Sequence, residues 1–136
     1  MGNLLDHAKS SAEKLGGVPE DYYRIHEFID SSKLFLPDWR HRALLHSTFG
    51  IFLAERYVFG PTYVRESDGV AVATRTIVEQ HLLEDLNAIL TPAEFLREMP
   101  LRIWMNGLSA AQRERLRYLA LGQETEKDDP DAREKS

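Results

Sequence analysis

The chain has 136 residues, 43% of them hydrophobic, with 17 Lys and Arg against 22 Asp and Glu for a net charge of −5. That length suits a single domain able to bury one core, and the mild acidity argues against a nucleic-acid binder built on phosphate contacts. Cysteine is absent, which excludes thiolate chemistry, Fe–S clusters and Cys-type zinc sites, so any metal must be held by nitrogen and oxygen.

The amino terminus, MGNLLDHAKSSAEK, has neither the basic start nor the apolar run of a signal peptide. No later segment approaches the ~18 apolar residues of a membrane span, so the expectation is a cytoplasmic protein that does not contact membrane. Gly2 does not begin a myristoylation signal, because Asp6 stands where that pattern wants Ser or Thr. The first predicted helix covers Leu4 to Leu15 and stops at Gly16-Gly17, since glycine takes the left-handed conformation that ends helices. A second starts at Pro19, with Glu20 and Asp21 favouring its positive end, and runs to about Ser32. A long third helix is expected over residues 38–58, capped by Asp38 and stopped by Gly60-Pro61.

The pattern then changes. Between Tyr63 and Thr74, two β-prone runs flank Ser67-Asp68-Gly69, which predicts a small hairpin. Thr76 with Glu79, Thr91 with Glu94 and Ser109 with Gln112 each have the capping-box spacing, and they predict three further helix starts. The first of these helices carries His81 and runs to about Ile89, and the last ends near Leu121. Pro100 to Met105 reads as an apolar segment covering the core, with a partner surface as the alternative. Arg113 and Arg117 form a basic stripe of the kind usual on a solvated face. The fold class is thus mainly α, about five or six helices with one hairpin in a single domain over residues 1–121, followed by a charged, disordered tail over 122–136.

Five histidines are the feature that points to chemistry. His26 and Asp30 are four apart, as are His81 and Asp85, so each pair shares a helix face and the carboxylate can orient the imidazole. Asp38 and His41 repeat this at a spacing of three. His41 and His46 are five apart, which on a regular helix turns one from the other by about 140° and prevents them from sharing a metal. The site expected from these spacings has His26, His46 and His81 converging in the interior, with His41 as the next member and Asp30 and Asp85 as supporting carboxylates. Three imidazoles would leave a position open for water, as catalytic zinc sites do. Gly50, one turn after His46, would allow a close approach. His7, near the terminus, reads as structural.

The succession His26-Glu27-Phe28-Ile29-Asp30, Arg40-His41-Arg42-Ala43-Leu44-Leu45-His46, Ser67-Asp68-Gly69 and Glu79-Gln80-His81-Leu82-Leu83-Glu84-Asp85-Leu86 resembles a family of small uncharacterised proteins encoded in bacterial and phage genomes. The resemblance covers roughly residues 3 to 105. It implies no reaction or substrate, but it implies that these His, Asp and Glu positions belong to the family's motif.

Two function classes remain open. In one, histidines bind Zn²⁺, Mn²⁺, Fe²⁺ or Ni²⁺ in a small helical protein, a metal-dependent hydrolase among the options. In the other, the chain is a non-catalytic phage or host accessory protein that binds a protein partner or small ligand, with structural histidines fixing the packing. Arg40 and Arg42 beside Trp39 are candidates for binding an anion, with pairing to nearby carboxylates as the plainer use. The sequence contains no nucleophile elbow, no glycine-rich phosphate loop and no His-Asp dipeptide of the kind found in HD phosphohydrolases.

Overall fold

A computed structural model of the chain describes residues 3–121. It is mainly helical, with seven α-helices and a two-stranded antiparallel sheet among the described residues. The chain divides into two compact units, Met1–Glu98 and Met99–Ser136. The expected tail over 122–136 lies outside the described residues.

In the first unit, α1 (Leu4–Leu15) begins with reciprocal bonds between Asn3 and Asp6 and ends at Gly16. The φ of Gly16, 96°, is a conformation that side-chain-bearing residues rarely adopt. Its inner face is partly polar, burying His7, Ala8 and Ser11. The next expected helix is divided into a 3₁₀ turn at Pro19–Tyr22, α2 at Tyr23–Asp30 and a second 3₁₀ turn at Ser31–Leu34. Helix α2 buries Ile25, His26 and Ile29.

The long helix expected over 38–58 is broken. Asp38 does cap its first turn, accepting from the Arg40 amide at 2.8 Å. That turn leads into α3 (Arg42–Leu45), a corner at His46 with φ −87° and ψ 48°, α4 (Thr48–Leu53) and a π-helical turn at Ala54–Val58. The cause is local. The Ser47 hydroxyl accepts from the Phe49 amide at 3.2 Å, an N-cap that restarts the helix one residue after His46. The Thr48 amide bonds the Leu90 carbonyl at 2.8 Å instead of one in α3. Gly50 has no side chain where one would overlap the Leu45 carbonyl, so the close approach it permits is that of its own chain.

Strands β1 (Thr62–Val64) and β2 (Ala71–Ala73) pair with Tyr63 opposite Val72. Helix α5 (Thr74–Leu86) follows β2 directly and ends at Asn87, whose φ is 57°. The expected Thr76 and Glu79 box does not form, because the chain enters the helix from the strand and Thr74 bonds the carbonyls of Gly60 and Pro61. The box of Thr91 and Glu94 does open α6 (Pro92–Phe95). The core joins Tyr22, Ile25 and Ile29 to Ile51, Tyr63, Ile77, Val78 and Leu82.

The second unit holds a 3₁₀ turn at Ile103–Asn106 and α7 (Ala110–Leu121), which opens with the expected reciprocal bonds of Ser109 and Gln112. Within this unit Leu101 and Ile103 are 91% and 89% exposed. A single 3₁₀ turn is too short to present one continuous apolar face. No helix among the described residues is long and apolar enough to cross a membrane.

Two expectations follow for stability. Gly50→Ala, which raises intrinsic helix propensity by about 1 kcal/mol, is expected instead to destabilise by about 1–3 kcal/mol through overpacking against Leu45, read from urea midpoints. Asp21 accepts from the Val18 amide, the Ser67 amide and the Ser67 hydroxyl at 2.9, 2.9 and 2.6 Å. Despite its burial, these donors and Arg65 hold its carboxyl below the usual carboxylate range. Because the folded value is lowered, the stabilisation is complete above the unfolded carboxylate range and is lost as pH falls through and below it. Asp21→Ala is expected to cost about 1–3 kcal/mol at neutral pH and to flatten the acid limb of stability against pH.

Candidate metal centre

Four segments of the first unit deliver polar side chains to one buried place. Helix α5 presents His81 and Asp85, four residues apart and so on one face. Helix α2 presents His26 and Asp30 at the same spacing. The corner between α3 and α4 supplies His46, and α1 supplies His7 and Ser11. His26, His46 and His81 are fully buried and His7 nearly so. The expected convergence of His26, His46 and His81 is present: the His26 and His81 Nδ1 atoms are 2.9 Å apart, and the His46 and His81 ring centroids 4.9 Å.

Within this cluster, one ligand atom each from Asp30, His46, His81 and Asp85 lie within 4.8 Å of one another, a group that could hold a metal ion. His46 Nε2 is 3.5 Å from Asp30 Oδ1 and 3.0 Å from Asp85 Oδ2. His81 Nε2 is 3.4 and 3.2 Å from the same two oxygens. Tetrahedral ligands with bonds of about 2.0–2.1 Å stand roughly 3.3–3.4 Å apart, and the four nitrogen–oxygen distances, 3.0–3.5 Å, are close to that spacing. His81 Nε2 is buried and makes no aligned hydrogen bond among the described residues. It faces the gap between two carboxylates, a place that calls for a cation, either a proton on the ring or a metal ion.

The electrostatics agree. Burial alone would raise the Asp85 carboxyl, but His46, His7 and His81 around it hold it well below the carboxylate range. Asp30 is likewise held down against burial, by His81, Lys33 and His46. Burial lowers the His46 imidazole in spite of Asp85, which keeps it in the neutral form that ligates metals. Burial, reinforced by His81 and His7, lowers His26 to about 3.

The four-atom group differs from the expected ligand set. Both nitrogens of His26 are engaged, Nε2 with the Ser11 hydroxyl at 2.8 Å and Nδ1 with His81, so His26 stands behind His81. His41 Nδ1 bonds the Ser32 hydroxyl at 2.9 Å, and its ring meets His46 edge-on. Asp30 and Asp85, expected as supports, have oxygens in the group itself. Of the two arginines, Arg40 is paired with Asp38 through Nε and Nη2 and is exposed. Arg42 Nη2 lies 4.0 Å from Asp85 Oδ2, while its buried Nε has no hydrogen-bond partner among the described residues.

Sequence reasoning missed the α1 side of the site. His7 stacks on His81 with centroids 3.8 Å apart, donates from Nδ1 to Glu84 Oε1 at 2.7 Å, and places Nε2 3.2 Å from Asp85 Oδ1. Burial opposes protonation of His7, but Asp85 and Glu84 outweigh it and raise its pKa. Glu84 is held at about 2 against burial by Ser10, His7, Gln80 and Lys14. The available signal was the spacing of four between His7 and Ser11, which puts both on the inner face of a helix whose start Asn3 fixes.

Removing Asp85 leaves three buried imidazoles without their shared carboxylate, so Asp85→Ala is expected to destabilise the chelator-treated protein by about 3–5 kcal/mol. Arg40→Ala, at an exposed pair, should leave stability close to that of the wild type, and denaturation of the two variants side by side tests the contrast.

Residues 2–105 match the family model described as a domain of unknown function (DUF6915). No curated protein and no solved structure matches the chain.

Proposed function

The chain belongs to the DUF6915 family, and for this member we propose one divalent-metal site formed by Asp30, His46, His81 and Asp85. The observation that carries the reading is the placement of His81 Nε2, buried without an aligned hydrogen bond and 3.4 and 3.2 Å from two carboxylate oxygens. Two imidazoles and two carboxylates suit Zn²⁺, Fe²⁺ or Mn²⁺, with Ni²⁺ also accepted by such donors. Four protein ligands fill a tetrahedron, so the ion is read first as a fastener joining α2, the His46 corner and α5.

Arg42 favours a second reading, in which the ion expands to five ligands and takes an anionic group beside the guanidinium. Its buried Nε without a hydrogen-bond partner among the described residues supports that role, and this version leads to metal-assisted hydrolysis of an anionic substrate.

The test is metal analysis after chelation and reloading. One ion per chain is expected for the wild type, with Co²⁺ giving the visible absorption of a tetrahedral complex. His81→Ala and Asp85→Asn should lose it, and His41→Gln should retain it. Metal at a hundred times its Kd should stabilise the folded wild type by about 2.7 kcal/mol and leave His81→Ala unmoved. Absence of stoichiometric metal, with identical melting curves with and without Zn²⁺, Mn²⁺, Fe²⁺ and Ni²⁺, would overturn the proposal and leave the accessory-protein alternative with structural histidines.

A further inference from the structure

Behind the four ligand atoms runs a line of hydrogen bonds whose direction can be worked out from its far end. Gln80 Nε2 lies 3.2 Å from the main-chain carbonyl of His7 and 3.2 and 3.1 Å from the two oxygens of Glu84. All three are acceptors, so the amide nitrogen must face them and the amide oxygen must face the other way. That oxygen is 2.7 Å from Ser11 Oγ, and because an amide oxygen only accepts, the Ser11 proton is committed to it. Ser11 Oγ is also 2.8 Å from His26 Nε2. With its own proton spent, the hydroxyl can only accept there, so His26 carries a proton on Nε2. His26 is fully buried, and its two hydrogen bonds go to Ser11 and His81. A second proton on this ring would be a buried charge with no carboxylate bonded to it among the described residues, which is strongly unfavourable. His26 Nδ1 is therefore a bare acceptor.

We infer that Gln80, Ser11 and His26 are positioning residues that assign the proton shared by the His26 and His81 Nδ1 atoms to His81, which frees His81 Nε2 to ligate a metal between Asp30 and Asp85. The inference rests on the metal reading for its consequence but not for the proton placement itself. Orientation of a ligating imidazole through its other nitrogen is the usual means of fixing its tautomer. Here the direction is set three side chains away, by the carbonyl of His7 in α1 and by Glu84.

The experiment is ¹⁵N NMR of the histidine side chains in the full chain, with and without Zn²⁺. The expected pattern has His26 protonated at Nε2 and bare at Nδ1, with His81 protonated at Nδ1 in both states. A proton on His26 Nδ1 overturns the inference, whatever the metal content. Ser11→Ala then tests the consequence: loss of the hydroxyl should weaken Zn²⁺ binding by about 10–100-fold, and Ser11→Thr, which keeps a hydroxyl, should recover most of it. Unchanged affinity in Ser11→Ala would overturn control of the ligand by the relay. Should Ser11→Ala fail to fold, the wild-type spectra still decide the proton placement. A wild type with the expected protons but no bound metal would sink the metal reading alone, and bound metal with a proton on His26 Nδ1 would sink the relay alone.

Discussion

The structure of the first unit is organised around the carboxylate of Asp85, whose side chain is 4% exposed. An ionised carboxylate in such a place is costly unless positive charge and hydrogen-bond donors surround it. Imidazoles from three segments close around it: His7 from α1, His46 from the corner and His81 from its own helix lie 3.2, 3.0 and 3.2 Å from its oxygens. Each of these segments is thereby fixed against α5, alongside an apolar core of modest size that the same helices share. Polar interiors of this kind specify one arrangement strongly, because a shifted helix would leave several buried groups unmatched at once.

The corner at His46 is the backbone device that makes this possible. On a continuous helix over 38–58, His41 and His46 would point about 140° apart. Ser47 caps a new helix, Thr48 turns its amide to Leu90, and the bare Cα of Gly50 accepts the Leu45 carbonyl. The break leaves both rings inside and in edge contact, His46 at the carboxylates and His41 against Ser32. A residue that reads as one more helical position thus becomes the pivot of the site.

Around the four ligand atoms lies a layer of groups that hold rather than bind. Glu84 gathers Ser10, Lys14, Gln80 and His7, joining α1 to α5 by side chains alone. His7 of this layer stacks directly on His81, and His26 links Ser11 to the same ring. Such outer partners are what distinguish an oriented ligand from a histidine that is merely nearby.

The sequence by itself determined the local features. The mainly helical class, the capping boxes at Thr91 and Ser109, the glycine stop after Leu15, the hairpin around Gly69 and the faces shared by His26 with Asp30 and by His81 with Asp85 all arise from contacts within about four residues. Local information also located the histidines that converge, because buried helix faces can be read from spacing. Tertiary structure decided the rest. Whether Thr74 or Thr76 opens α5 depends on the carbonyls of Gly60 and Pro61, and whether residues 38–58 continue or break depends on the Leu90 carbonyl as well as on Ser47. The roles within the site are long-range too: His7 is 77 residues from Glu84 and Ser11 is 69 from Gln80. Spacing along a helix says which side chains share a face, but which of them carries the free lone pair is settled by partners that only folding brings within hydrogen-bond reach.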